Sequence, residues 1–198
     1  KIDDAIDTYQ FSMTADLLYD LVWRDFCDWY LEGIKPTIGD DSEQRQVLLT
    51  MLDAITRLLH PVCPFVTEAL WPHISSAGKP GLPGVNLPSS PLAAQAAWPQ
   101  LTDCIDEEAE ADFERIKEVV NAIRRARADH GIPPKVRLTL GISPAIRPLI
   151  DKAEAAVLSM ATLDAVADYH TDGIQVHVDG EAMSLTGHAQ EVDSDQER

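Results

Sequence analysis

Apolar side chains recur every three or four residues over four stretches of the chain, the spacing that places them on one face of a helix. The predicted helices cover residues 12–32, 41–60, 65–74 and 106–130. The first helix is predicted to bury a single row of side chains: Ala15, Leu18, Val22, Phe26 and Trp29. Glycine or proline follows each of these stretches, where helices end.

A different pattern begins near residue 136, where apolar and polar positions alternate as they do in half-buried strands. The predicted strands cover 136–140, 163–169, 173–178 and 182–185, with a helix over 146–160 between the first two. Asp179-Gly180 is predicted to form the hairpin turn before the last strand. The sequence therefore predicts a mainly α protein, in which a helical bundle is followed by a small α+β domain. The predicted divisions are 1–101 for the bundle, 102–187 for the α+β domain and 188–198 for a polar tail.

Composition narrows the class of protein. Of the 198 residues, 45% are hydrophobic, which is enough for a packed core, and the net charge is −17. A free-standing nucleic-acid binder is usually basic, so the charge alone argues against RNA. Three separated cysteines form neither a disulfide framework nor a metal motif, which favours a reducing cytoplasm. We expect no membrane association, and the absence of an initial methionine predicts a piece of a longer protein.

Four sequence motifs carry a family resemblance. The first is the aromatic run Trp23-Arg-Asp-Phe-Cys-Asp-Trp-Tyr-Leu-Glu32, and the second is Leu58-Leu-His-Pro-x-x-Pro-Phe-x-Thr-Glu-x-x-Trp71. Trp98-Pro99 and the basic segment from Val120 to Pro134 follow. Together they resemble the anticodon-binding bundle of valyl-tRNA synthetases, a class I aminoacyl-tRNA synthetase family. The likeness runs over about residues 9–137.

The second motif is predicted to be a structural corner between two helices. Its prolines fix the direction of the chain, and Phe65 and Trp71 are predicted to plug the end of the bundle. His60 is predicted to seal carbonyls at a helix end, with a direct role in tRNA binding as the alternative. Trp98-Pro99 is predicted to pack the proline-rich linker of residues 75–99 against the bundle.

The resemblance implies a tRNA partner, tRNA(Val), and a parent enzyme that attaches valine to it with ATP and Mg²⁺. The sequence lacks the His-x-Gly-His and Lys-Met-Ser-Lys motifs that hold ATP in such enzymes. We therefore expect no catalytic residue, cofactor or metal in this chain. The resemblance also implies that the bundle is partial, because in this family it opens with helices upstream of the segment that begins here. Catalytic and editing domains are expected further upstream in the same polypeptide, and a coiled-coil arm downstream.

Seven residues are candidates for tRNA contact. Aromatic rings stack on splayed bases and cations bind phosphates, which gives these candidates: Trp23, Arg24, Tyr30, Arg124, Arg125, Arg127 and Lys135. From 115 to 137 there are seven basic residues and two acidic ones, against the acidic balance of the whole chain. The alternatives are core packing for the aromatic rings, and solvated charge that matches the helix dipole for the arginines.

A second function stays open at this point, namely an acidic helical module that binds proteins through an apolar groove and has no role with RNA. Whichever function applies, the net charge of −17 predicts that the isolated chain binds tRNA with a dissociation constant weaker than micromolar.

Overall fold

The computed structural model describes residues 1–39, 41–76, 82, 84–100 and 104–187. The chain folds into two compact units, Lys1–Asp106 and Glu107–Arg198. The first is helical and the second combines helices with a sheet, so the predicted fold class is confirmed. The predicted boundary after residue 101 stays a prediction, and the predicted tail 188–198 lies outside the described residues.

The first unit begins with the short helix α1 (Ile2–Asp7), which the sequence pattern did not predict. Helix α2 (Phe11–Tyr19) continues into a π-helical stretch (Asp20–Leu31) and the last turn α3 (Glu32–Ile34). Helices α4 (Ser42–Leu59) and α5 (Pro64–Ser75) follow. A single 3₁₀ turn (Ala93–Gln95) lies in the described part of the linker.

The ends of α4 and α5 follow from local chemistry. The Asp41 side chain accepts hydrogen bonds from the backbone N–H groups of Glu43 and Gln44, at 2.8 and 3.0 Å, and so caps α4. Pro64 occupies the first turn of α5, where a missing N–H costs nothing. Between the two helices, Nδ1 of His60 lies 2.8 Å from the Thr67 hydroxyl. His60 therefore links the two helices, whereas we had expected it to seal carbonyls.

The buried side chains of the first helix, which runs from α2 through the π-helical stretch, differ from the predicted row. Thr14, Leu18 and Phe26, which are spaced by multiples of four, are buried. Ala15 is exposed, and Val22 and Trp29 are half-buried, so Leu18 and Phe26 are the members of the predicted row that are fully buried.

The prediction that Phe65 and Trp71 of the corner motif plug the end of the bundle is wrong for Phe65, whereas Trp71 is buried as expected. Trp71 is 1% exposed and its indole N–H donates to the Ser90 carbonyl at 2.9 Å. Phe65, which was predicted to plug the bundle as well, is 90% exposed on α5. The sequence pattern did not identify which of the two rings is buried, because apolar residues lie on most sides of α5.

A buried arginine holds the linker against α4 and α5. Arg57 pairs with Asp53 one turn away, and the side chains are 1% and 0% exposed. Its other N–H groups donate to the carbonyls of Ala97 and Pro88, at 2.8 and 2.7 Å. The guanidinium also lies 5.1 Å from the centre of the Trp71 ring. Burial lowers the pKa of the Arg57 guanidinium below its ordinary value.

The second unit begins with the long helix α6 (Glu107–Asp129) and continues with β1 (Leu138–Ile142), α7 (Arg147–Asp151) and α8 (Glu154–Ala161). The strands β2 (Leu163–Asp168), β3 (Ile174–Val178) and β4 (Glu181–Thr186) complete it. The strand order is β2-β1-β4-β3; β1 is parallel to β2, and β4 is antiparallel to both β1 and β3. The predicted single helix 146–160 is broken at Lys152 and Ala153.

Gly141 lies in β1 between the neighbouring strands β2 and β4, where little room is left for a side chain. A Cβ atom at this position would come within 2.3 Å of the Ser184 hydroxyl oxygen and 3.1 Å of the Asp168 carbonyl oxygen. The core of this unit forms where α6 contributes Val119, Val120 and Ile123, all of them fully buried. Because α6 packs its apolar row inward, its arginines at nearby positions lie at the margin of this core.

We predict that Arg57→Ala lowers the free energy of unfolding of the first unit by about 3–5 kcal/mol, because it leaves the buried Asp53 carboxylate without its partner. All four tryptophans lie in this unit, so their fluorescence during urea unfolding reports on it. Arg45→Ala, at an exposed position of the same helix, is the control and should cost less than about 0.5 kcal/mol. Equal effects of the two substitutions would contradict the assignment.

Candidate nucleic-acid interface

Two pairs of aromatic rings stack along the π-helical stretch. Tyr19 and Trp23 have ring centres 6.5 Å apart and planes within 18° of parallel. Phe26 and Tyr30 have centres 5.8 Å apart and planes within 22°. The rings of each pair are four residues apart, a spacing that brings two side chains together on one side of a helix. The same local geometry therefore produces both stacked pairs.

The two pairs differ in their exposure. Tyr19 and Trp23 are 57% and 55% exposed, whereas Phe26 is 6% exposed and Tyr30 is half-buried. Burial raises the pKa of the Tyr30 phenol above its ordinary value. The Trp23 ring is thus accessible to a nucleic-acid base, whereas the Tyr30 ring packs against the buried ring of Phe26.

Arg24 lies next to Trp23 in an acidic setting. Its Nε is 3.2 Å from the Asp20 carboxylate, and both side chains are substantially exposed. Between Asp16 and Glu32, Arg24 is the one basic residue among five acidic ones in the sequence. A phosphate that approached Arg24 would therefore have to compete with Asp20, although an exposed pair of this kind is weak.

In the second unit, Arg124 and Arg125 lie near the C-terminal end of α6 and are exposed. Two N–H groups of Arg124 donate to the Met160 carbonyl, at 3.1 and 2.9 Å. Nε of Arg125 donates to the Asn121 carbonyl at 3.3 Å. The guanidinium groups themselves make these contacts, which use some of their donors, and both side chains are exposed to solvent.

Arg127 has a different environment. It is 7% exposed, and its guanidinium donates to the carbonyls of Thr162, Pro133 and Val136 at 3.2, 3.0 and 2.7 Å. Burial lowers the pKa of the Arg127 guanidinium below its ordinary value. The prediction that Arg127 contacts tRNA stays a prediction, but in this conformation its donors are used to join α6 to the sheet.

Lys135 is exposed in the turn that leads from α6 to β1. The seven candidates are thus divided between the two units, with Trp23, Arg24 and Tyr30 in the first. The second unit holds the cationic candidates on α6 together with Lys135.

The structure adds two residues that the sequence analysis did not select. Tyr19 supplies the ring on which Trp23 stacks, and helical spacing of four would have indicated it. Asn121 lines a shallow surface depression of about 460 Å³ together with Arg124, Arg125 and Ala128. An amide beside two guanidinium groups is suited to binding phosphate oxygens. The signal in the sequence was the spacing of three and four between Asn121 and the arginines.

Among the described residues, no group of three or more histidine, cysteine or acidic side chains is arranged to hold a metal ion. In the same part of the chain, we find no helix with the length and apolar character needed to cross a membrane.

Comparison with known proteins defines the class. The family of anticodon-binding domains of tRNA ligases matches residues 1–142, well over half of the chain. The chain therefore belongs to this family. This membership favours RNA recognition over the acidic protein-binding module that we considered as the alternative function.

Curated relatives make the likeness more specific. The valine–tRNA ligase of Caulobacter vibrioides is 37% identical over 204 residues, which cover 98% of this chain and 22% of the relative. The valine–tRNA ligase of Thermotoga maritima is 34% identical over 145 residues, covering 72% of this chain and 15% of the relative. The valine–tRNA ligase of Rhodopirellula baltica is 39% identical over 139 residues, covering 68% of this chain and 13% of the relative. The chain thus spans about a fifth or less of the length of these relatives.

We predict that two nearby arginine substitutions differ in their effect on the stability of the second unit. Arg127→Ala should destabilise the second unit by about 2–4 kcal/mol, because three partly buried carbonyl oxygens lose their charged donor. Arg125→Ala should change stability by less than about 0.5 kcal/mol. Hydrogen exchange of β1 and β2 amides, measured by mass spectrometry, localises the effect. Equal protection in the two variants would show that Arg127 does not join α6 to the sheet.

Proposed function

We propose that this chain is the part of a valine–tRNA ligase that recognises the anticodon stem-loop of tRNA(Val). The observation that carries the proposal is the pair of exposed arginines on α6, with Asn121 beside them, inside the region that matches the anticodon-binding family. In a chain of net charge −17, cations gathered on one element are the natural place for phosphates.

The parent protein, in this proposal, attaches valine to tRNA(Val) with ATP and Mg²⁺ during protein biosynthesis in the cytoplasm. Catalysis and editing would belong to the rest of the same polypeptide, upstream of this chain, and a coiled-coil arm would follow it. This division agrees with the absence of the two ATP-binding motifs from the sequence. The role of this chain is then to position the distal end of the tRNA, which supplies binding energy away from the reacting atoms.

Two kinds of contact would divide the work. Arg124, Arg125 and Lys135 would bind phosphates and fix the register of the stem without reading sequence. Trp23 would stack on an unpaired base, because its ring is supported by Tyr19 and more than half exposed. Arg24 would bind the phosphate beside that base after leaving Asp20, and Tyr30 would contact RNA with the part of its ring that Phe26 leaves uncovered.

The acidic remainder of the chain sets the strength of this interaction. Long-range repulsion between the protein and the phosphates opposes the local attraction of the cationic cluster. We therefore expect the isolated chain to bind weakly and the complete synthetase to bind much more tightly, because other contacts on the same tRNA raise the effective concentration.

We predict that Arg125→Glu and Lys135→Glu each weaken binding of the anticodon stem-loop. Each should also flatten the salt dependence by about 1 in log K against log salt for a lost phosphate contact. Fluorescence anisotropy of a labelled stem-loop, recorded between low and moderate salt, measures both quantities.

The control is Lys152→Glu, which makes the same charge change at a 60% exposed side chain of the second unit outside the family match and also breaks the ion pair of Lys152 with Asp112. It should leave the salt dependence unchanged. If all three variants behave alike, a general charge effect rather than a phosphate contact would explain the data.

We predict that Trp23→Ala weakens binding of the stem-loop by about 1–3 kcal/mol, the usual contribution of one base stacked on an aromatic ring. Tyr9→Ala removes another exposed aromatic ring of the same unit, 78% exposed but outside the π-helical stretch, and should have little effect. Loss of affinity in the Tyr9 variant and not in the Trp23 variant would move the base contact elsewhere on the unit.

A further inference from the structure

A cavity of about 480 Å³ lies in the first unit, away from the residues proposed to contact tRNA. Its walls come from α1, the first turns of α2, the end of α4 with the corner after it, and the linker. The apolar part of the wall is formed by Ile6, Phe11, Leu58, Val62 and Trp98. A concave and mostly apolar site of this volume has the size of a small-molecule pocket.

Two carboxylates interrupt the apolar wall. Asp3 and Asp7 are one helical turn apart on α1, so both lie on the face that borders the cavity. The indole N–H of Trp98 donates to the Asp3 carboxylate at 2.8 Å, which fixes both the ring and one carboxylate oxygen. Thr14 adds a hydroxyl, which is itself bound to the Gln10 carbonyl at 3.1 Å.

This combination selects the charge of a ligand. An anion would meet two carboxylates, and no basic side chain lines the cavity among the described residues. A strongly polar ligand would leave the apolar walls without a matching surface. A cationic head beside Asp3 and Asp7, with an apolar body against Ile6, Leu58 and Val62, satisfies both parts of the wall. The aromatic faces of Phe11 and Trp98 add the attraction that a cation has for a ring.

We propose that this cavity binds a small organic cation, namely an amine with an apolar aromatic or aliphatic body. The site does not depend on the proposed function, because it shares none of the residues assigned to tRNA. The same ammonium group occurs on a free amine and on a lysine side chain, and the cavity volume favours the free amine with its own apolar body.

The test uses three ligands with nearly the same body and different heads: 2-phenylethylammonium, 2-phenylethanol and 3-phenylpropionate. Binding to the intact chain is measured by ligand-observed NMR at neutral pH and low salt. The ammonium should bind about three- to fivefold more tightly than the alcohol, which is the range that exposed ion pairs supply. The carboxylate should bind least. Equal binding of the three, or binding of the carboxylate alone, overturns the proposal.

Two variants on the same short helix separate the cavity from general charge. Asp7→Asn should lower the ratio of ammonium to alcohol affinity about twofold, because it removes one ion pair but keeps the size of the side chain. Asp4→Asn makes the same change where the side chain is 87% exposed and outside the cavity wall, and should leave the ratio unchanged. Equal effects of the two variants overturn the assignment of the site.

A third variant tests the location independently of charge. Val62→Trp places a larger ring at the mouth of the cavity, at a position that is already 50% exposed, so the fold should be kept. It should reduce the affinity for both the ammonium and the alcohol severalfold, with circular dichroism as the check on folding. Unchanged affinity in this folded variant overturns the proposal. A capped lysyl-phenylalanine peptide that binds more tightly than the free amine overturns the choice of a small molecule.

Discussion

Each unit of this protein is organised around one buried guanidinium that binds backbone carbonyls. Arg57 joins α4 to Pro88 and Ala97 of the linker, and Arg127 joins α6 to the segments around β1 and β2. Irregular backbone cannot satisfy its own carbonyl groups, so a side chain with five donors in a planar fork is suited to hold it. The linker of the first unit and the turn after α6 are both held by such hydrogen bonds from a buried arginine to backbone carbonyls.

Because these two arginines are buried, fewer cationic side chains are available to bind RNA phosphates. The chain has 16 basic residues against 33 acidic ones, and two arginines are buried in the part that the structure describes. Arg124, Arg125 and Lys135 stay exposed near the end of α6, where the local sequence is basic. On α6, Arg127 stabilises the fold, whereas Arg124 and Arg125 are exposed and able to contact phosphate, although all three lie within one turn of the helix. Binding to RNA must then be local, because the overall charge of the protein repels it.

Much of this arrangement was accessible from the sequence. Apolar spacing with proline and glycine placed α2, α4, α5 and α6, and alternation with Asp179-Gly180 placed the strands. The π-helical winding was not accessible, because an i to i+5 bonding pattern has no distinct apolar period over so few turns. Within α2, Ala15 was assigned to the buried row in place of Thr14, because both lie within one turn of Leu18 and alanine is the more apolar of the two. The burial of Arg127 depends on carbonyls that come together only in the folded unit, so its charge alone suggested a phosphate contact.

The proposed function requires that this chain bind the anticodon end of a tRNA in preference to its acceptor end. The most direct measurement compares two RNA hairpins of equal length and charge, the anticodon stem-loop and the acceptor minihelix of tRNA(Val), in titrations at the same low salt. We expect weak but clearly preferential binding of the stem-loop, with nitrogen shifts in NMR spectra at Trp23 and Arg125. Equal affinity for the two hairpins, or a preference for the minihelix, would contradict it.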